Sequence, residues 1–452
     1  MGDHVELDMH ELFSLRSRLQ RYLDVEAALA LTQAELGIIP PAAGDKIAEA
    51  AKVELIDLQR LEAGQAVTGH FMMPLVTELS RAVGEPEGEY VHWGATTQNI
   101  EQTGDVLGIR DAVRLLTEEL RGVIEALAGL GERTADTVMA GRTHWQQAVP
   151  ITLGFKVATW TDVMIRHAER LEQLKPRLFT SMTGGAAGTF ASMGERGPAV
   201  QEGVARRLEL TPMKVPARNI VDHFAEYVLL LGMMAATLAS MAEEVSRLMS
   251  AEFGEVSESL PKGDVGSSTM PQKRNAKKCM EVVIKSARIR ALVPTALEAM
   301  IQSHEVDGTR SAMMQHAVEQ SSILTGDILR AIRKVMTDLE IYPERMRANL
   351  ELTGGLINAE AVMMTLAQTI GRQTAHEVVH DAAYQVARSG ASTTFSDVLT
   401  ADPRVNEHLS KEELRKLLDP AAHTGLSAEI ARKTASRARA AAQLMNNDAE
   451  VK

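Results

Sequence analysis

An all-α fold built on very long helices is what this sequence predicts, and three observations predict it. Apolar residues recur at steps of three and four over long stretches. Between Val106 and Leu130 they fall at Ile109, Val113, Leu116, Leu120, Ile124 and Leu127, which is the period of an amphipathic helix. No segment of useful length alternates apolar and polar residues as a strand would, and no short repeat is present. The third observation is the apolar run Val228–Ala242, VLLLGMMAATLASMA, closed by Glu243 and Glu244. It is shorter than the roughly 18–20 residues a membrane span needs. A helix apolar on every side is buried in protein, at the centre of a large bundle or at a subunit interface.

In chain order, Leu12–Leu36 reads as a helix stopped by Gly37 and Pro40. Ile47–Leu61 reads as a second. Glycine and proline break the pattern at residues 64–69 and 84–88, ahead of the polar, hydroxyl-rich VHWGATTQNIEQTG of Val91–Gly104. The long helix through Val106–Leu130 follows, then a helix over Ile151–Leu174. Thr183–Gly197 is rich in glycine and alanine and reads as a connection. Phe224–Glu252 is a long apolar helix, and Val282–Ser303 and Ile323–Leu339 continue the bundle. A composition shift at Gly354–Leu356 marks a boundary before helices at Glu412–Leu418 and Ser427–Met445. The expected organisation is an N-terminal helical domain over residues 1–104, a central long-helix bundle over 105–355 and a C-terminal helical domain over 356–452.

The 452 residues are 45% hydrophobic and 24% charged, an ordinary globular balance. A net charge of −12 argues against nucleic acid as a partner. An anionic substrate therefore needs a local basic site. Cys279 is the single cysteine, so no intrachain disulfide forms, in keeping with a reducing compartment. The acidic start, without an apolar run, does not read as a signal peptide. The expectation is a cytoplasmic protein with no membrane association.

One basic site stands out. Gly263–Met280 reads GDVGSSTMPQKRNAKKCM: two glycines, three successive hydroxyls, a proline and four cations. Glycine beside Ser/Thr favours a loop and Pro271 interrupts a helix, so a polar loop should lead into a helix near Asn275. Hydroxyls beside fixed cations suit an anion. The pattern G-S-S-T-M-P-Q-K-R-N also resembles the signature loop of the fumarase/aspartase superfamily, matching every fixed position of G-S-S-x-M-P-x-K-x-N. In that family the loop closes over a substrate with a succinyl unit. The resemblance makes Ser267 the general base and Ser268, Met270, Lys273 and Asn275 substrate-binding positions. Ala276 departs from the proline usual after the asparagine.

Two further segments carry the resemblance, and together the three span nearly the whole chain. Gly141–Pro150, GRTHWQQAVP, reads alone as a polar turn beside a long helix. Its G-R-T-H-x-Q-x-A-x-P pattern resembles the second signature, with His144 as general acid or acid-orienting residue and Thr143 and Gln146 at substrate contacts. A histidine can donate a proton near neutral pH. His92–Thr103 resembles the first signature, with the Thr96 and Thr97 hydroxyls on a substrate carboxylate and Asn99 where aspartate is common. His70, Arg218 (followed by Asn219 where the family has aspartate) and Arg310 are further substrate-binding candidates, against structural or surface roles. His376–His380, HEVVH, matches the zinc-protease pattern H-E-x-x-H, but no third ligand is evident. The superfamily's chemistry uses no metal, so neither metal nor cofactor is expected.

The resemblance implies β-elimination with fumarate or a close analogue as product, by homotetramers whose sites take residues from three subunits. The N-terminal HELFSLRSRLQRYLDVEAALA and LDPAAHTGL at Leu418–Leu426 look most like 3-carboxy-cis,cis-muconate cycloisomerase, whose bacterial members often lack the second-signature histidine present here. Adenylosuccinate lyase usually carries R-Y-S-R-P-E-M near its start, where this chain has MHELFS at Met9–Ser14. The favoured substrate is a di- or tricarboxylate of the N-substituted aspartate kind, with the cycloisomerase as runner-up, then adenylosuccinate lyase. A non-catalytic relative is the reading from another class, and retention of Ser267 and His144 argues against it.

Overall fold

The computed structural model describes residues 8–259, 269–270, 272–389 and 393–450. Eighteen α-helices run through the described residues, and the strands form three two-stranded pairs. The chain is therefore all-α in character. It divides into two compact units, and each of the long helices Thr97–Arg133, Leu153–Leu178, Asp222–Leu248, Lys277–Ala299 and Gly308–Asp338 contributes residues to both.

The first unit comprises Met1–Glu118, His167–Ala236 and Lys285–Ile328. Its Leu15–Glu35 helix begins where the Ser14 hydroxyl accepts from the Ser17 amide, and ends at Gly37 in the left-handed region. The single helix expected over Ile47–Leu61 is two helices, Pro41–Ala50 and Leu58–Thr68. The Asp57 carboxylate caps the second by accepting from the Gln59 and Arg60 amides, a start signal that apolar periodicity alone does not register. On the Thr97–Arg133 helix, Gly104 and Gly108 lie one turn apart. A Cβ on Gly104 would sit 2.5 Å from the Tyr22 ring, and one on Gly108 2.8 Å from Arg21 Nε. The two glycines thus seat Tyr22 and Arg21 against this helix. Tyr227 is fully buried, its hydroxyl 2.9 Å from Ser322 Oγ.

The second unit comprises Glu119–Arg166, Thr237–Ile284 and Leu329–Lys452. Its core includes Leu238, Met241, Ala242 and Val245 of the Asp222–Leu248 helix, all fully buried. A separate cluster around Val362, Leu366, Phe395 and Leu399 holds the C-terminal helices together. The 138–152 segment is an antiparallel hairpin, Val138–Thr143 against Gln146–Thr152, where the sequence reads as a turn beside a helix. Its outer residues are polar on both faces, so the alternation that reveals a half-buried strand is missing.

The apolar run at Val228–Ala242 lies in a 27-residue helix. That helix is long and apolar enough to cross a membrane by length and composition, and 67% of its most apolar window is buried inside the protein.

Candidate functional site

The first unit holds a cavity of about 710 Å³ that opens to solvent. His70, Thr97 and Arg218 all line it, although the first and last are far apart in sequence. Thr97 starts the Thr97–Arg133 helix, and that start is held by Asn99. Asn99 Oδ1 accepts from the Thr96 amide at 3.1 Å and from the Gly185 amide at 3.1 Å, while its Nδ2 donates to Gly185 O at 3.4 Å. A carboxylate could accept those bonds but not donate the last, which gives the asparagine at this position a physical role. Arg218 is fixed by donating to Gln98 Oε1 at 2.9 Å and to Ala186 O at 2.8 Å. Asn219, its neighbour, donates to the His304 carbonyl at 2.9 Å.

The same cavity wall carries charges that sequence reasoning passed over. Glu101 and Asp105 follow Thr97 at successive helical turns and line the cavity with Arg18, Tyr22 and Gln315. Asp105 accepts from the Tyr22 hydroxyl at 3.2 Å and from Gln315 at 3.4 Å. Burial raises its carboxyl to about 6, against the pull of Arg18 and Arg21. Burial, then the Asp105 charge, raises Glu101 to about 7. Arg18 pairs with Glu319 at 2.6 Å. Nearby, His92 stands at φ 61 with Nδ1 2.5 Å from the buried Glu26 carboxylate. Burial favours its neutral form, but the Glu26 hydrogen bond and charge prevail and raise its pKa. The available signal for His92 was its position at the head of the first signature segment.

In the second unit, the hairpin turn consists of His144 at φ 49 and Trp145 at φ 68, between the paired Thr143 and Gln146. A two-residue hairpin of this kind needs left-handed backbone at both central positions, normally supplied by Asn or Gly. Histidine and tryptophan there are strained, and such strain concentrates at functional sites. Thr143, His144, Trp145 and Gln146 are all exposed, with the Arg247 guanidinium 5.1 Å from the Trp145 ring centroid.

The root of the hairpin is tied down. Arg142 donates to both oxygens of the fully buried Glu255, at 2.6 and 3.0 Å, and Asn349 adds a third bond to that carboxylate. Glu255 directly precedes the short strand Val256–Ser257, which pairs with Glu340–Ile341. Buried Glu258 then accepts from the Lys278 and Cys279 amides, at the start of the Lys277–Ala299 helix. Arg274 forks onto Glu340 at 2.9 and 3.1 Å. The described C-terminal part of the signature segment is thereby held by buried Glu258 at Lys278 and Cys279 and by the surface Arg274–Glu340 pair, while buried Glu255 holds the hairpin. Within the segment, Met270 and Lys273 are exposed and Asn275 is half-buried. Ser267 and Ser268 lie outside the described residues.

Arg310 does not line the cavity: it pairs with Glu298 at 2.7 Å, two residues into the Gly308–Asp338 helix. His376 and His380 are exposed on the Arg372–Arg388 helix with ring centroids 6.1 Å apart. Among the described residues no group of three His, Cys, Asp or Glu side chains is placed to hold a metal ion.

Comparisons with known proteins add the following. A family model described as Lyase matches residues 6–291, and one described as Adenylosuccinate lyase C-terminus matches residues 355–434. The chain is 40% identical to 3-carboxy-cis,cis-muconate cycloisomerase of Pseudomonas aeruginosa, over 92% of this chain and 91% of that protein. It is 37% identical to adenylosuccinate lyase of Methanothermobacter thermautotrophicus, over 92% of this chain and 93% of that protein. A crystal structure of fumarate lyase from Mesorhizobium sp. BNC1 superposes with a TM-score of 0.89 at 36% identity, covering 95% and 97% of the two chains.

Proposed function

The chain belongs to the fumarase/aspartase superfamily of lyases, and on that premise we propose that it catalyses β-elimination on a succinyl-type substrate, an N-substituted aspartate, releasing fumarate. The observation that carries the reading is the cavity shared by His70, Thr97 and Arg218. Thr97 of the first signature lines one polar cavity with the further candidates His70 and Arg218.

In this reading the Thr96 and Thr97 hydroxyls, His70 and Arg218 bind one end of the substrate. Thr143, Gln146, Ser268, Met270, Lys273 and Asn275 bind the rest; Arg310, a further candidate carboxylate ligand, is engaged with Glu298. Ser267 takes the proton from the carbon next to a carboxylate. The electron pair left behind is held as an enediolate, whose extra charge the hydroxyls, Asn275 and Lys273 stabilise more than they stabilise the ground state. That pair then forms the carbon–carbon double bond as the carbon–nitrogen bond breaks, and His144 helps protonate the departing nitrogen. Side chains fill every role. The same reading carries with it a cytoplasmic homotetramer.

The cycloisomerase reading stands second, supported by the similarity to the Pseudomonas aeruginosa enzyme over most of both chains. The retained His144 favours elimination over it. Adenylosuccinate lyase stands third, because Met9–Ser14 lacks the stretch that resembles a nucleotide site. The test is a substrate panel of N-substituted aspartates, muconate tricarboxylate and adenylosuccinate, followed in the ultraviolet. Fumarate release from non-nucleotide aspartates is expected. Lactone formation alone, or cleavage of adenylosuccinate alone, would overturn the proposal.

A further inference from the structure

Six charged side chains line the first unit's cavity: Arg18, Arg21, Arg218, Glu101, Asp105 and Glu319. Five of them are engaged. Arg18 and Glu319 pair, Asp105 accepts from Tyr22 and Gln315, Arg21 donates to Leu12 O, and Arg218 donates to Gln98 and Ala186. Glu101 makes no hydrogen bond or ion pair among the described residues, although it is half-buried on the cavity wall. It stands one helical turn from Thr97, so the two side chains share a face of the helix.

That juxtaposition has a consequence for the substrate. In the β-elimination reading, on which this inference rests, Thr97 binds a substrate carboxylate. A second carboxyl one turn away, without a hydrogen-bond partner among the described residues, repels an anionic substituent and gains nothing from a neutral one. A cation in that position satisfies it, because a half-buried charge is stabilised by a hydrogen-bonded partner of opposite sign. The lining carries three cations and three anions, which fits a substrate carrying both signs. We propose that Glu101 is a specificity-determining residue that selects substrates whose leaving group bears a positive charge, such as an ammonium on the nitrogen substituent.

The experiment compares three aspartates whose N-substituents have equal length and end in ammonium, methyl or carboxylate. Fumarate release is measured with the wild-type protein, Glu101→Gln and Glu101→Asp. The readout is the ratio of kcat/KM between substrates within each protein, so a general loss of activity does not obscure it. Wild type should favour the ammonium substrate by roughly ten-fold or more, the worth of one charged hydrogen bond. Glu101→Asp should keep part of that preference and Glu101→Gln should lose it. A preference for the carboxylate substrate, or one that survives in Glu101→Gln, would overturn the proposal. If none of the three is cleaved, the elimination reading has failed, and a binding arm decides the role of Glu101 separately. Calorimetry with 4-aminobutyrate, butylamine and butyrate should show 4-aminobutyrate, which carries both signs, binding best to wild type, with its advantage over butyrate gone in Glu101→Gln. Equal binding of all three to wild type, or an unchanged advantage of 4-aminobutyrate over butyrate in the variant, would sink it.

Discussion

Ser267 and His144 carry opposite halves of the proposed proton traffic, and their replacement separates chemistry from folding. Ser267→Ala should lower kcat by roughly 10²–10⁴-fold, the usual worth of a positioned proton-transfer group. Its helical circular dichroism should be unchanged, and near-normal turnover would remove Ser267 from the mechanism. Glu101 makes a different prediction, about stability. Its carboxyl is raised from 4.5 to about 7, by burial first and then by Asp105. The folded state therefore holds this proton more tightly than the unfolded chain. The stabilisation is fully present below about pH 4.5 and is lost as pH rises through about 7. Glu101→Gln escapes that loss. It should match wild type near pH 4.5 and exceed it at pH 8, by at most roughly 3 kcal/mol. Thermal melts at the two pH values measure this, and a variant less stable at pH 8 would contradict it. At this scale the sequence was half legible. Resemblance to the family signatures names Thr97, His144 and Ser267 as candidates, of which Thr97 lines the cavity and His144 stands in the hairpin turn, but Glu101 and Asp105 at successive turns look in sequence like an ordinary solvated helix face. Only the packing of Arg21 and Tyr22 onto Gly104 and Gly108 turns that face inward.

The 138–152 hairpin is rooted by one buried ion pair, Arg142 with Glu255. Arg142→Ala would leave Glu255 fully buried without its guanidinium, at a cost of about 3–5 kcal/mol. The expected result is a lowered melting temperature together with a lowered kcat, because the turn carrying His144 loses its root. A melting temperature and kcat both like wild type would show that the pair positions nothing. The helices here were legible because amphipathic periodicity is strong over twenty or more residues, as from Ile109 to Leu130. The hairpin was not, since the residues around His144 are polar on both faces and hide the period of two. The break at Asp57 was missed because a capping carboxylate interrupts a helix without disturbing its apolar spacing.

At the scale of the whole molecule, large apolar side chains remain exposed on the long helices, among them Met233, Met280, Ile284 and Leu297. Exposed apolar surface of this kind marks association, which supports the proposed homotetramer. With His376 and His380 read as helix surface, exhaustive chelation should leave turnover unchanged; stoichiometric zinc lost together with activity would contradict that. The central claim is that each site needs Ser267 and His144 together, drawn from different chains. Complementation tests it most directly. Inactive Ser267→Ala and inactive His144→Ala proteins are mixed, mildly dissociated and reassembled, and fumarate release is followed. Hybrid assemblies should regain a fraction of wild-type activity, since some sites then receive both intact residues. Hybrids that stay inactive despite demonstrated subunit exchange, or a fully active monomer, would contradict the account.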